Sequence, residues 1–142
     1  MAFATRAQLL AVEDVSQYET NIDITLELDR AQNSIVRLLN STWWQQFLIK
    51  NPKYTPGELR ADLLNVSEWR NPVIYYALGF NILPKAQQLT TDKLSWKIAE
   101  YHDKFSYDWR NLIEFGISYD IDGTTIRFIE ENEEFEYIRL RK

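Results

Sequence analysis

The spacing of apolar residues changes once along this chain, after Gly116, and that change is the strongest constraint on its fold. Before Gly116, apolar residues recur in steps of four and three, the period of an amphipathic helix. After Gly116, they alternate with polar residues, as in a β-strand with one buried face. The sequence therefore predicts a mainly α protein, with a helical bundle of about four to five helices at 1–116 and a β-hairpin and extended tail at 117–142. A length of 142 residues fits a single domain.

A capping residue predicts the first helix, and the spacing of apolar residues predicts the second. Thr5 can cap a short helix that ends near Ala11. A second helix is expected to begin near Asp23 and to continue through Trp43-Trp44 to Phe47. A strand-like alternation competes at its start, but it soon stops, whereas the helical pattern persists. The stripe predicted to be buried consists of Ile24, Leu28, Ala31, Ile35, Leu38 and Thr42.

Proline residues predict the bounds of the next two helices. In Thr55-Pro56-Gly57-Glu58, Thr55 can cap a short helix whose first position is Pro56, where a missing N–H costs little. By the same argument, Asn71-Pro72 predicts the start of another helix. That helix is apolar on every side, so it is expected at the centre of the bundle, and Pro84 is expected to end it.

The longest helix and the hairpin complete the predicted fold. Asp92 is expected to cap the helix, and Gly116 is expected to end it in a left-handed conformation. Beyond it, Asp122-Gly123 is a typical hairpin turn between two alternating segments. The buried stripe of the helix is predicted to be Leu94, Ile98, Tyr101, Phe105, Trp109 and Leu112.

The C-terminal tail is the first candidate for a subunit interface. Five of the seven residues from Glu130 to Glu136 are glutamate, and apolar and charged residues alternate beyond them. A segment of this kind can add to a neighbouring subunit through main-chain hydrogen bonds, with a solvated chain end as the equal alternative. The candidate interface residues are Phe135, Tyr137, Ile138, Arg139, Leu140 and Arg141.

The adjacent pair Trp43-Trp44 is the second interface candidate. Two neighbouring indoles could form a platform on which a sugar or a base stacks. Adjacent residues of an α-helix point about 100° apart, however, which disfavours one shared surface. We therefore expect one of the two rings in the core and the other at an edge or a subunit contact.

Few residues are available for catalysis or metal binding. The chain has no cysteine and one histidine, His102, which excludes thiol nucleophiles, disulfides and Cys/His metal sites. His102 is expected to be a solvated helix residue, and the pair Asp103 and Asp108 has a spacing common in acidic helices. Asp120-Ile121-Asp122 with Glu131 matches only part of a calcium-binding loop. We predict no catalytic, cofactor-binding or metal-binding residue and no enzymatic activity.

The charge and hydropathy of the chain disfavour nucleic acid and membranes as binding partners. The chain carries 16 Lys and Arg against 21 Asp and Glu, a net charge of −5, which is the wrong sign for tight binding to nucleic acid. The most apolar stretch, Pro72–Leu83, is shorter than the roughly 20 residues that span a bilayer. Met1–Ala11 lacks the apolar run of a signal peptide. We expect a soluble cytosolic protein without membrane contact.

Two stretches of the chain resemble the small head–tail connector proteins, or neck adaptors, of tailed bacteriophages. The first runs from Tyr18 to Trp44 and contains the run A-x-x-x-I-V-R-L-L that begins at Ala31. The second comprises Pro72–Leu78, the spaced aromatic residues of the longest helix, and Tyr119–Gly123. The resemblance covers the chain from about residue 8 to the end, and it consists of apolar and aromatic patterns without a catalytic signature.

The resemblance implies a virion structural protein that docks as a ring, commonly of twelve copies, on the portal protein and presents a platform to the next neck or tail component. Such a protein is made in the host bacterial cytoplasm and resides in the neck of the virion. Genomic DNA would pass the channel without tight binding, because an acidic lining repels the duplex. Two alternatives stay open: another phage structural subunit, such as a tail-completion or baseplate protein, and an enzyme that uses His102, Asp103 and Asp108.

Overall fold

The computed structural model describes residues 2–50, 59–121 and 124–127, which form a mostly helical bundle followed by a short antiparallel hairpin. The predicted fold class is confirmed. The helices are α1 (Arg6–Val12), α2 (Ile24–Leu39), α3 (Gln45–Lys50), α4 (Val66–Tyr76), α5 (Leu83–Leu89) and α6 (Ser95–Phe115). The strands are β1 (Ser118–Ile121) and β2 (Thr124–Arg127), and 3₁₀ turns occur at Ser16–Tyr18 and Ala61–Leu63.

Two π-helical segments join pairs of α-helices end to end. The segment Asn40–Trp44, named π1 here, links α2 to α3, and the segment Ala77–Ile82, named π2, links α4 to α5. Residues 24–50 and 66–89 therefore each form one interrupted helix. A π turn is wider than an α turn, so it changes the direction of the side chains that follow it.

Two of the predicted helix starts are confirmed. Thr5 caps α1 in a reciprocal pair with Gln8, in which the Gln8 amide donates to Thr5 Oγ1 at 3.3 Å and the Thr5 amide donates to Gln8 Oε1 at 2.9 Å. Asp23 caps α2 by accepting a hydrogen bond from the Leu26 amide at 3.1 Å. The helix that starts there continues through both tryptophans, as predicted.

Both prolines of the central helix lie inside it, and the two bounds predicted from them are wrong. The helix begins at Val66, because the Asn65 side chain accepts a hydrogen bond from the Ser67 amide and supplies the cap. Pro72 is buried within α4. Pro84 is the second residue of α5, directly after π2, where the hydrogen-bond spacing changes and a missing donor costs little.

The start of α6 also differs from the prediction. Asp92 does not cap the helix, because its carboxylate accepts a hydrogen bond from the Tyr18 hydroxyl at 2.7 Å. Instead, Gln87 Oε1 accepts from the Leu94 amide at 2.9 Å, so a side chain of α5 satisfies a donor at the start of α6. At the other end, Gly116 is the C-cap with φ 112° and ψ 146°. The positive φ was predicted, but ψ is more extended than in the left-handed helical conformation.

Two predicted features lie outside the described residues. They are the capping sequence Thr55-Pro56-Gly57-Glu58 and the hairpin turn Asp122-Gly123. The residues before Asn65 form a 3₁₀ turn at Ala61–Leu63, where a short α-helix was predicted. The extended residue that follows, Leu64, forms a β-bridge with Tyr119, and this pairing replaces the helix.

The core lies around α4 and π2. This central helix packs against α2 on one side and against α6 on the other. Trp69, Ile74, Leu78 and Ile82 on it are fully buried, which confirms the predicted central position. The predicted stripe of α6 also packs on this core, with Tyr101 and Phe105 buried and Trp109 partly buried.

The hairpin is joined to the end of the bundle where α6 stops. Ser118 of β1 pairs with Arg127 of β2, and Ile121 pairs with Thr124. The Ser118 amide donates to Glu68 Oε1 of α4 at 3.0 Å, and the Tyr119 hydroxyl accepts from the Arg60 amide at 2.9 Å. These contacts fix the root of the hairpin to α4 and to the segment before it.

Candidate functional site

The predicted tail interface, Phe135 to Arg141, lies outside the described residues, as does Glu131 of the partial calcium motif. The structure does define where the tail leaves the bundle. Arg127, the last described residue, is paired with Ser118, and Ser118 is two residues beyond the C-cap of α6. The tail therefore begins beside the C-terminal end of α6.

Trp43 and Trp44 both lie in the core, so the expectation that one ring sits at an edge is wrong. Each side chain is only 5% exposed. Both rings pack against Phe47, with ring centroids 5.4 Å away in each case, and against Tyr119 of the hairpin, at 6.0 and 5.1 Å. The two adjacent indoles also lie close to each other, with centroids 6.0 Å apart. This tryptophan cluster ties α3 to the hairpin.

His102 is a packed residue, and the prediction of a solvated side chain is wrong. Its ring stacks on Phe80 with centroids 4.0 Å apart and an interplanar angle of 15°. Nε2 lies 2.8 Å from the carbonyl oxygen of Gly79. A Cβ added to Gly79 would lie 2.9 Å from His102 Cδ2 and 3.1 Å from Tyr101 Cβ. Glycine is required here because π2 and α6 approach each other so closely.

An aromatic groove runs between α2 and α6, over the central helix. Its floor consists of Tyr76 and Phe80, which stack with centroids 4.6 Å apart, and of Phe105, whose centroid is 5.2 Å from that of Tyr76. Phe80 is 42% exposed. On the α2 side, Leu38 is 39% exposed and borders, with Tyr76, a cavity of about 330 Å³. The Phe80 part of the floor is therefore open to solvent, whereas Phe105 is buried.

The groove continues along α6 towards the hairpin. A second cavity, of about 430 Å³, is lined there by Phe105, Trp109 and Ile113. The polar residues at the two cavities include two exposed arginines, Arg37 and Arg110, and one carboxylate, Glu114. The groove thus combines an apolar floor with a rim that carries more positive than negative charge, on a protein whose net charge is negative.

The opposite flank of α6 is closed by a polar network. Glu13 accepts hydrogen bonds from Lys97 Nζ and from the Tyr101 hydroxyl, each at 2.7 Å. Burial opposes ionisation of Glu13, but the hydrogen bonds from Lys97 and Tyr101 prevail and lower its pKa. Burial and the hydrogen bond to Glu13 raise the pKa of Tyr101. The ammonium of Lys104 lies over the Tyr101 ring, 5.2 Å from its centroid. This flank binds α1 to α6.

The carboxylates considered as an acid and base pair do not form a site. Asp103 is exposed on α6, whereas Asp108 is partly buried and its pKa is raised by that burial. Glu27 is the most buried carboxylate, 3% exposed, and it forms ion pairs with Lys85 of α5 and with Arg30. Lys85 and the buried Glu27 join α5 to α2, a structural role.

Across 2–50, 59–121 and 124–127, no group of three or more His, Asp or Glu side chains could hold a metal ion. Within that part of the chain, no helix is both long and apolar enough to cross a membrane. Comparisons with protein families, curated proteins and solved structures give no match to this chain.

Sequence reasoning missed the groove, although one signal for it was present. Gly79 interrupts an otherwise apolar helix, and a glycine in that position is typical of a close approach between two backbones. The residue that approaches it, His102, is distant in sequence. The open space between α2 and α6 depends on the packing of three helices, which the pattern of one helix does not determine.

Proposed function

We propose that this protein is a structural, non-enzymatic component of a tailed-phage virion, a head–tail connector that docks as a ring on the portal and links the capsid to the tail. The observation that carries the proposal is a folded body joined to a tail through a fixed root. Ser118 and Tyr119 hold that root through Glu68 and the Arg60 amide. The resemblance to neck adaptors supports the same assignment.

A fixed root suits a subunit that must reach a neighbour in a defined direction. The tail then offers Phe135, Tyr137, Ile138, Arg139, Leu140 and Arg141 to the portal or to the next copy in the ring. Ring contacts are heterologous, with one surface of each copy binding a different surface of the next. Weak single contacts of this kind gain strength when many copies assemble on one template.

The net charge of −5 supports passage of DNA through such a ring. An acidic channel lining repels the duplex and keeps it from binding tightly. The two tryptophans that were the second interface candidate are buried in the subunit, so we assign them to its stability and leave docking to the tail.

Electron microscopy of purified virions tests the proposal directly. We expect density for this chain as a ring between the portal and the tail. Density in the tail tip or the baseplate would identify a different structural subunit and overturn the connector assignment. Absence from the particle would overturn the virion assignment as well.

Light scattering of the pure protein, alone and with portal, tests assembly. We expect a monomer or a weakly associating species alone and a closed ring only with portal, because the template supplies the avidity. A stable dimer that ignores portal would contradict the adaptor role.

Truncation after Glu134 tests the tail. The described helices all precede this position, so the helical signal in circular dichroism should be retained. Binding to portal should fall at least tenfold, about 1.4 kcal/mol. A matched control is Ile49→Ser in the full chain, since Ile49 is 78% exposed on α3 and the change should leave binding unaltered. Unchanged portal binding by the truncated protein would show that docking uses another surface.

A further inference from the structure

The aromatic groove is a partly exposed apolar surface, and one end of it lies near the start of the tail. Its floor contains Phe80, 42% exposed, and its α2 wall contains Leu38, 39% exposed. The His102 ring stacked on Phe80 extends the apolar surface across to α6. Clusters of exposed apolar residues of this kind are typical of surfaces that another segment covers.

We propose that in the isolated subunit this groove binds the tail of its own chain, with Phe135 and Tyr137 against the aromatic floor. The inference goes beyond the proposed function, because it concerns the state of the subunit before assembly. It holds or fails whether or not the protein is a connector.

Chain length permits this arrangement. The hairpin lies at one end of the groove, since Tyr119 packs on Trp44, a few residues after Leu38 along the same interrupted helix. From Arg127, the seven residues 128–134 span at most about 23 Å when extended. The groove wall from Ile113 back to His102 is about 17 Å long. Phe135 and Tyr137 can therefore reach the floor from their own root.

The charges of the two partners are complementary. The glutamates of residues 130–136 precede and flank Phe135 in the tail. Arg37 lines the cavity beside α2, and Arg110 lines the cavity along α6 together with the carboxylate of Glu114. Aromatic side chains on an aromatic floor bury area that no charged segment could, and the arginines stabilise the acidic residues beside them.

The short connection favours the tail of the same chain over that of a second copy. A tether of seven residues gives an effective concentration in the millimolar range, far above the concentration of other copies in a dilute solution. Docking within one chain also covers the surface that would otherwise associate. Release of the tail to a neighbour then makes assembly depend on contact with the partner.

Cross-linking in the full chain tests the proposal, because the natural sequence has no cysteine to interfere. We introduce Glu136→Cys in the tail together with Ser106→Cys on the exposed rim of the groove and treat the protein with a short bis-maleimide. The control pairs Glu136→Cys with Gln46→Cys, which is exposed on α3 near the hairpin root but outside the groove. We expect at least tenfold more intramolecular product from the groove pair.

Two other outcomes of the cross-linking experiment would overturn the proposal. A covalent dimer from the groove pair would mean that the groove binds the tail of a second copy. Equal intramolecular yields from the groove and control pairs would mean that the tail does not dock.

Peptide binding provides an independent test. A labelled peptide of residues 128–142 should bind the chain 1–134 and should bind the full chain at least tenfold more weakly, because the attached tail competes. Phe80→Ser in the truncated chain should weaken binding at least tenfold, whereas Ile49→Ser should not. Equal binding to truncated and full chains would overturn the proposal, and if the truncated chain does not fold, the cross-linking result decides alone.

Discussion

The two flanks of α6 differ in how they meet the rest of the bundle. One flank is closed by a hydrogen-bonded network, in which Glu13 of the segment after α1 binds Lys97 and Tyr101. The other flank presents His102 and Trp109 to the aromatic groove, whose floor residue Phe80 is 42% exposed. A single helix thus serves stability on one side and offers an interaction surface on the other.

The difference arises from what each neighbouring element contributes. On the closed flank, the charged and polar partners satisfy one another's hydrogen bonds. On the open flank, α2 and α6 both pack on the central helix, and the aromatic side chains of that helix face the space between them. Substitutions at four positions test this contrast.

The largest effect is expected at Ala77, a residue of π2 that is fully buried in the core. Ala77→Asp places an unpaired charge in the core and should cost about 3–5 kcal/mol, enough to unfold a domain whose total stability is typically about 5–15 kcal/mol. Urea denaturation measures the change. Gln46→Asp, on an exposed position of α3, is the control, and coincident transitions of the two variants would contradict the central placement of π2.

The second effect is expected at Gly79, the point where π2 and α6 approach most closely. Gly79→Val adds a Cβ that meets the His102 ring at 2.9 Å and the His102 amide nitrogen at 3.3 Å. Separating the helices should cost about 1–3 kcal/mol. Thermal denaturation measures it, with Asn33→Val on the exposed face of α2 as the control. Equal melting temperatures would show that the two helices can move apart freely.

A third, smaller effect is expected on the closed flank. Because the pKa of Glu13 is lowered in the folded protein, its contribution to stability is present above the unfolded pKa and is lost as the pH falls through the folded pKa. Glu13→Gln should cost about 1 kcal/mol at neutral pH. The difference between wild type and variant should shrink in acid, as followed by denaturation at a series of pH values. A difference that grows in acid would contradict the assigned network.

The sequence predicted the elements whose signals are local. Thr5 caps the helix for which it was predicted, the second helix begins next to Asp23 as its apolar spacing predicted, and the change of period after Gly116 corresponds to the hairpin. The prediction of helix starts failed where another contact or another capping residue competes with the expected one. Asp92 binds Tyr18 instead of capping α6, and Asn65 begins a helix that Pro72 was expected to begin. A tertiary contact outweighed the local preference at Asp92, whereas a competing local cap at Asn65 set the start of α4.

The candidate site was less accessible from the sequence, for the same physical reason. His102 was expected in solvent because its helical neighbours are charged, yet Phe80 and the Gly79 carbonyl, which bind it, lie on another helix. Trp43 and Trp44 were expected to diverge, but both rings pack against Tyr119 of the hairpin, which is distant in sequence. The groove exists only through the packing of helices that are far apart in the chain.

The remaining effect is expected for His102, and it separates the two contacts that the residue makes. His102→Phe retains a flat ring for the stack on Phe80 but removes the hydrogen bond to the Gly79 carbonyl, so it should cost about 0.5–1.5 kcal/mol. His102→Ala removes both contacts and should cost more, because the Phe80 ring loses its packing partner. Urea denaturation of the two variants measures the order. If His102→Ala proves as stable as His102→Phe, the stack contributes nothing and the α6 wall of the groove depends on the hydrogen bond alone.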